Sequence, residues 1–340
     1  MDNLQLAFDL CPSKTRPSIS RNLPMAKGYF TQGVVLLCER APTVDELSAA
    51  LSSFEIVGQR EAAESWTFGG PSVLVAFRPE VNGFVTIDTV GQRWPDHMGD
   101  PKKESMIFGA WSMGNFGPYA FPGGLARAGQ QCWSWEPGKT IAERHQAFVR
   151  IRLSYAFGAQ DDDPIFPDDC DAVAELEFVT KVAAALLAVP GTLCYFNPNG
   201  ELLKNADDLR ESLNWGWSHK LPPLDAWSNV RLFNFNQEWS LMDTVGNAQL
   251  DMADVECIFA RSYDPGEIDR FLRNASLYLL KSGPVIKDND TMDGPGNVRW
   301  QARSFDQGII DPPRQVVRFL PQDGRKLPPD VAEAAQGKKR

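Results

Sequence analysis

The side chains able to do chemistry in this chain are few and scattered. Its three histidines, His97, His145 and His219, stand far apart. None has a partner four residues away, so the pair with which a helix presents two imidazoles to zinc is missing. His145 reads as a packing or capping residue. No serine sits in a G-x-S-x-G elbow. The six cysteines (Cys11, Cys38, Cys132, Cys170, Cys194 and Cys257) form no C-x-x-C pair and no nucleophile signature, which points to reduced, buried thiols. The glycines of GNFGPYAFPGG lack the preceding strand and following helix that a phosphate cradle needs. KDNDTMDG places Asp288 and Asp290 as in a calcium loop. Met292 and Arg299 then stand where oxygens are required, so an Asx-rich turn fits better. Catalytic residues, a metal site and a cofactor are therefore all expected to be absent.

Two other groups of residues suggest binding. DDDPIFPDDCDAVAELE (161–177) carries eight acidic residues and no basic one. Asp161, Asp162, Asp163, Asp168 and Asp169 form a ridge suited to a basic partner, or else a solvated linker before an acid-rich helix start. Trp215 and Trp217 stand in NWGWSHK, read as a loop, with Trp239 nearby. Tryptophans fill cores, and they also anchor protein interfaces. The net charge of −10 and pI near 4.9 argue against direct nucleic-acid binding, which needs clustered Lys and Arg. The same acidity attracts basic proteins. With no signal-like N-terminus and no apolar run long enough to span a bilayer, a cytoplasmic protein without membrane contact is expected.

The elements that must position these residues have clear local signals. GVVLLC is a buried strand, and TVDELSAALSSF carries a capping box at Thr43 and Glu46. SVLVAF and FVTIDTV flank a turn as a hairpin; GKTIAERHQAFV reads as a helix and VRIRLSYAF as a strand. Between them, 94–135 is a Gly-, Pro- and aromatic-rich loop expected to pack over the sheet. Later come a helix capped by Asp171, the strand TLCYF, the turn NPNG and the short helix NADDLRESL. The hairpin NVRLFNF–WSLMDTV, the strand VECIFA, a helix from Asp264 to Gly283 and the strand NVRWQARSF follow.

DTVG occurs twice, at Asp88–Gly91 and Asp243–Gly246, each time closing the second strand of a hairpin. Neighbouring elements align in the same order, which suggests an old duplication. The fold class is thus expected to be α+β. The detailed form would be two tandem, diverged α/β sandwich domains of split-βαβ, ferredoxin-like character. The expected divisions are a leader (1–27), an N-terminal domain (28–160), a C-terminal repeat (161–322) and a flexible tail (323–340).

YFNPNGELL, DTVGNAQLDMADVEC and IDRFLRNASLYLLKSGPVIKDNDTMDG resemble an uncharacterised bacterial domain family, over most of residues 160–295. Where the family shows D-G-D-T, this chain reads Asp288-Asn289-Asp290-Thr291. Members lie near secreted-toxin loci, and some look like immunity proteins of type VI secretion and polymorphic toxin systems. The resemblance carries no catalytic residues. It implies an immunity protein that neutralises a cognate antibacterial toxin, a basic nuclease being the expected class, by blocking its active site or substrate access. The alternatives are an enzyme of unrecognised type and a structural or adaptor component of a secretion apparatus.

Overall fold

A computed structural model of the chain describes residues 29–157 and 165–337. The leader 1–27 and three of the acidic-ridge residues, Asp161, Asp162 and Asp163, lie outside the described residues. The fold is α+β, built on two sheets.

The first sheet draws on β1 (Gln32–Cys38), β2 (Ile56–Arg60), β3 (Ser72–Arg78), β4 (Gly83–Val90), β5 (Ala147–Ser154), β6 (Thr192–Asn197) and β7 (Leu202–Lys204). Their order is β2-β3-β4-β5-β1-β6-β7. Helix α1 (Val44–Ala50) follows β1; α2 (Ser105–Ser112), α3 (Gly124–Gln130) and α4 (Ile141–Arg144) separate β4 from β5; α5 (Ala172–Leu186) and α6 (Ala206–Ser218) flank β6 and β7. β1 is apolar on both faces because both are covered. Val34 and Leu36 meet Leu176, Val179 and Ala183 of α5, together with Leu47 and Leu213. Val35 and Leu37 meet Trp94, Trp111, Leu125 and Ile141.

The second sheet holds β8 (Asn229–Asn234), β9 (Trp239–Val245), β10 (Asp254–Ala260), β11 (Thr291–Gly294), β12 (Val298–Phe305) and β13 (Val316–Pro321), in the order β11-β12-β13-β10-β9-β8. Helix α7 (Pro265–Ser282) covers one face through Ile268, Leu272, Ala275 and Leu279. Its Leu277 and Leu280 also join the first core, so α7 belongs to both. Helix α8 (Pro329–Gln336) covers the other face.

The 94–135 loop does pack over the first sheet with its aromatics. Trp94 meets Trp111, Phe116, Phe148 and Phe196 edge-on. It is also partly helical, because the Asp96 carboxylate accepts the Leu125 and Ala126 N–H groups and caps α3.

Several expectations need correction. The strand pairs of the first sheet are all antiparallel, so the parallel pairing of a split βαβ unit is absent. Residues 192–204, expected in the C-terminal half, form β6 and β7 and join the first sheet through β1. The expected tail contains α8, held by Val331 and Ala335 one helical turn apart against Leu241 and Ile258. The Arg318 guanidinium caps its end at the Ala334 and Ala335 carbonyls. Finally, α6 runs through NWGWS, so Trp215 and Trp217 stand on a helix rather than in a loop.

Candidate functional site

Both DTVG aspartates are buried anchors of arginine clusters. In the three-strand meander β3-β4-β5, Asp88 lies across from Ser72 and Arg150. In β8-β9-β10, Asp243 lies across from Arg231 and Glu256. The hairpin position is shared, but the arginine comes from the following strand in one case and the preceding strand in the other. Asp88 pairs with Arg150 at 2.6 Å and Arg152 at 2.9 Å, all three side chains nearly inaccessible. Desolvation pushes the Asp88 carboxyl up, but the two guanidinium charges outweigh it and hold it below the usual carboxylate range. The surplus cation is stabilised by the Thr67 and Trp66 carbonyls and by the Phe30 ring, 4.3 Å from Arg152. Gly246 shows why the second copy ends in glycine: its φ is +123°, and a Cβ there would sit 2.6 Å from the Trp227 carbonyl.

The second cluster extends to a cleft of about 380 Å³ lined by Arg127, Gln131, Arg231, Phe233, Ile310 and Asp311, among others. Glu201, held at φ +47° in the turn after β6, accepts Arg127 at 2.5 Å and Arg231 at 2.9 Å. Asp243 accepts Arg231 at 2.7 Å and Arg314 at 2.5 Å. Burial pushes the Asp254 carboxyl up to about 6, against the pull of Arg314. Each guanidinium nitrogen of Arg127, Arg231 and Arg314 already donates to a carboxylate or a carbonyl. The Gln131 amide is likewise committed, bonding both Leu232 N–H and C=O on the outer edge of β8. This chemistry serves the fold and leaves little for a ligand.

The other reactive groups are equally engaged. His145 is buried; its Nε2 accepts the Trp94 N–H at 2.9 Å and its Nδ1 donates to the Ile141 carbonyl at 2.9 Å. Burial depresses its pKa, which favours the neutral ring. Burial likewise pushes the Cys38 thiol up to about 12 and raises Cys194 and Cys257, which makes these thiols poor nucleophiles. Asp288 accepts the N–H of Ser304, sixteen residues away on β12, and Asp290 accepts the N–H of Lys287 within the turn. Among the described residues, no group of three His, Cys, Asp or Glu could hold a metal ion, and no helix is long and apolar enough to cross a membrane.

The surface aromatics stand out instead. Trp94, Trp111, Trp227, Trp239 and Trp300 are buried, whereas Trp133 (66% exposed), Trp215 (49%) and Trp217 (42%) are exposed, the last two projecting from α6. Asn205 caps this helix through the Asp208 N–H, and Asp207 and Asp208 occupy its first turn. Gly216 lets the following 221–223 segment tuck under the helix. A Cβ there would lie 2.9 Å from the Leu221 carbonyl. Trp239, the third candidate for partner binding, is buried in the core between the second sheet and α8 and cannot contact a partner there. Asp169 is exposed and accepts Arg78 at 2.9 Å. Asp168, in the same ridge, precedes α5. The described residues thus bring Trp215 and Trp217 together on one helix, while Asp168 and Asp169 belong to a separate segment.

No curated protein and no solved structure matches the chain. The expected resemblance to an uncharacterised family over 160–295 holds in a narrower and shifted form. A family model described as a domain of unknown function, DUF4261, matches residues 243–320. This stretch runs from Asp243 on β9 through α7 to β13, and contains Asp254, Glu256, Arg314 and Arg318 of the buried charge clusters.

Proposed function

We propose that this protein acts by binding another protein: it neutralises a cognate secreted antibacterial toxin, a basic nuclease, by covering its active site or substrate access. The observation that supports this reading is the exposed tryptophan pair on α6, in a chain that buries most of its other indoles. Half-exposed tryptophans on a regular helix cost solvation in the free protein and recover it when a partner covers them. The net charge of −10 suits a basic partner and speeds encounter. On this reading Asp161, Asp162, Asp163, Asp168 and Asp169 add long-range attraction.

The test is co-expression with the product of the gene beside this one, which this reading expects to be the toxin. Wild-type protein should restore growth and co-purify with the toxin. A Trp215→Ala/Trp217→Ala double variant, folded by circular dichroism, should lose most of that protection. Undiminished protection by the double variant would remove the observation on which the reading stands.

A further inference from the structure

We propose that the outer face of α6 is a docking rail for a basic segment whose Lys or Arg side chains are seated between carboxylates and indoles. This deepens the protein-binding reading and rests on it.

Asp207, Glu211, Asn214 and Ser218 are all exposed and are spaced four, three and four residues apart. At 3.6 residues per turn they fall within about 60° of one another on the helix. Trp215 lies about 80° from Asp207 around the axis on one side, and Trp217 about 80° on the other. An open trough of about 520 Å³ runs along this face, lined by Asp207, Arg210, Glu211, Asn214, Trp215 and Ser218. The opposite face, with Leu209, Leu213 and Gly216, is buried. A polar stripe edged by two aromatics is thus left facing outward.

The chemistry selects a cation. A guanidinium or ammonium group gains from a carboxylate and from an indole face together. The fold already shows half of this arrangement, since the Lys181 ammonium stands 5.5 Å from the Trp217 ring. The ring of His219 stacks on Trp215 at 4.6 Å and 27°, so that indole is braced on one side and open on the other. A braced aromatic loses little conformational entropy on binding. Arg210 pairs with Asp207 at 2.8 Å, but both are largely exposed, and such a pair is weak enough to yield to an incoming cation. A second copy of this chain docked face to face would set Glu211 and Asp207 against like charges. An acidic segment would meet the same repulsion.

The probe is an eight-residue oligo-arginine peptide, titrated into the full chain at low salt and followed by indole fluorescence and calorimetry. An oligo-glutamate peptide of equal length serves as the control. The wild type should bind oligo-arginine and not oligo-glutamate, and binding should weaken as salt rises. Glu211→Gln and Trp215→Ala should each weaken it tenfold or more. Asp330→Asn makes the same charge change at an exposed position of α8, and Trp133→Ala removes another exposed indole; both should leave binding within twofold of wild type. Absent binding, or equal losses in Glu211→Gln and Asp330→Asn, would overturn the rail. Toxin protection separates the two ideas. Full protection by Glu211→Gln and Trp215→Ala would sink the rail and leave neutralisation standing. Failure of the wild type to bind the neighbouring toxin, with oligo-arginine binding intact, would sink neutralisation alone.

Discussion

Asp88 and Asp243 carry the same four-letter context, yet each solves a different local problem. Asp88 pairs with two buried arginines and offsets one of their two charges. Asp88→Asn keeps the shape and removes the charge, and should cost about 3–5 kcal/mol by chemical denaturation. Because its folded pKa lies below the ordinary 3.8, the stabilisation is present above that pH and is lost as pH falls below it. Asp254 has the opposite sign. Its pKa rises from 3.8 to about 6, so folding favours the protonated acid, and stability is lost as pH climbs through that window. Asp254→Asn removes this ionisation and leaves Arg314 paired with Asp243. Relative to wild type, the variant should gain stability between pH 4 and pH 8, by roughly 3 kcal/mol at most. Parallel pH profiles for variant and wild type would contradict the assignment. His145 adds its own acid sensitivity, since its depressed pKa favours folding above 6.5 and the benefit fades below it.

Elements with their own end signals were legible in the sequence. Thr43 and Glu46 form the capping box that starts α1, Asp171 caps α5, and Asp264 caps α7. Both hairpins around DTVG are present as the alternation and turns indicated. Legibility failed where a neighbour decides the structure. Gly216 and the two indoles of NWGWS look like a loop, but the 221–223 segment packs at the glycine and α6 continues past it. The short edge strands β2 and β11 carry little apolar pattern of their own. β13 becomes a strand because β10 and β12 lie on either side of it. The end of the chain misled in the same way, since two small apolar residues dock α8. Val331→Asp should release this helix, expose Trp239 and Leu241, lower the melting temperature and increase dye binding to apolar surface. An unchanged melting temperature would show that α8 contributes nothing to the second sheet.

Across the whole molecule, the pairing of β1 with β6 and the sharing of α7 between two cores bind the halves together. Neither is written in local sequence, because strand order depends on contacts far apart in the chain. The candidate site was half legible. Trp215 and Trp217 were singled out by residue type, but the rail they edge appears only once α6 is helical and its 207–211–214–218 stripe is seen to face outward. Four thiols (Cys38, Cys132, Cys194 and Cys257) and His145 are buried, as their sequence context indicated, and the DTVG carboxylates are committed to buried arginines. What remains outside is an acidic surface with exposed indoles, and the proposal of protein binding rests on it. Its most direct test is the affinity of the full chain for the protein encoded beside it, the expected toxin, measured by calorimetry at low and high salt. Neutralisation requires tight, salt-weakened binding that falls at least tenfold in Trp215→Ala/Trp217→Ala. Binding that is indifferent to both salt and the double substitution would contradict it.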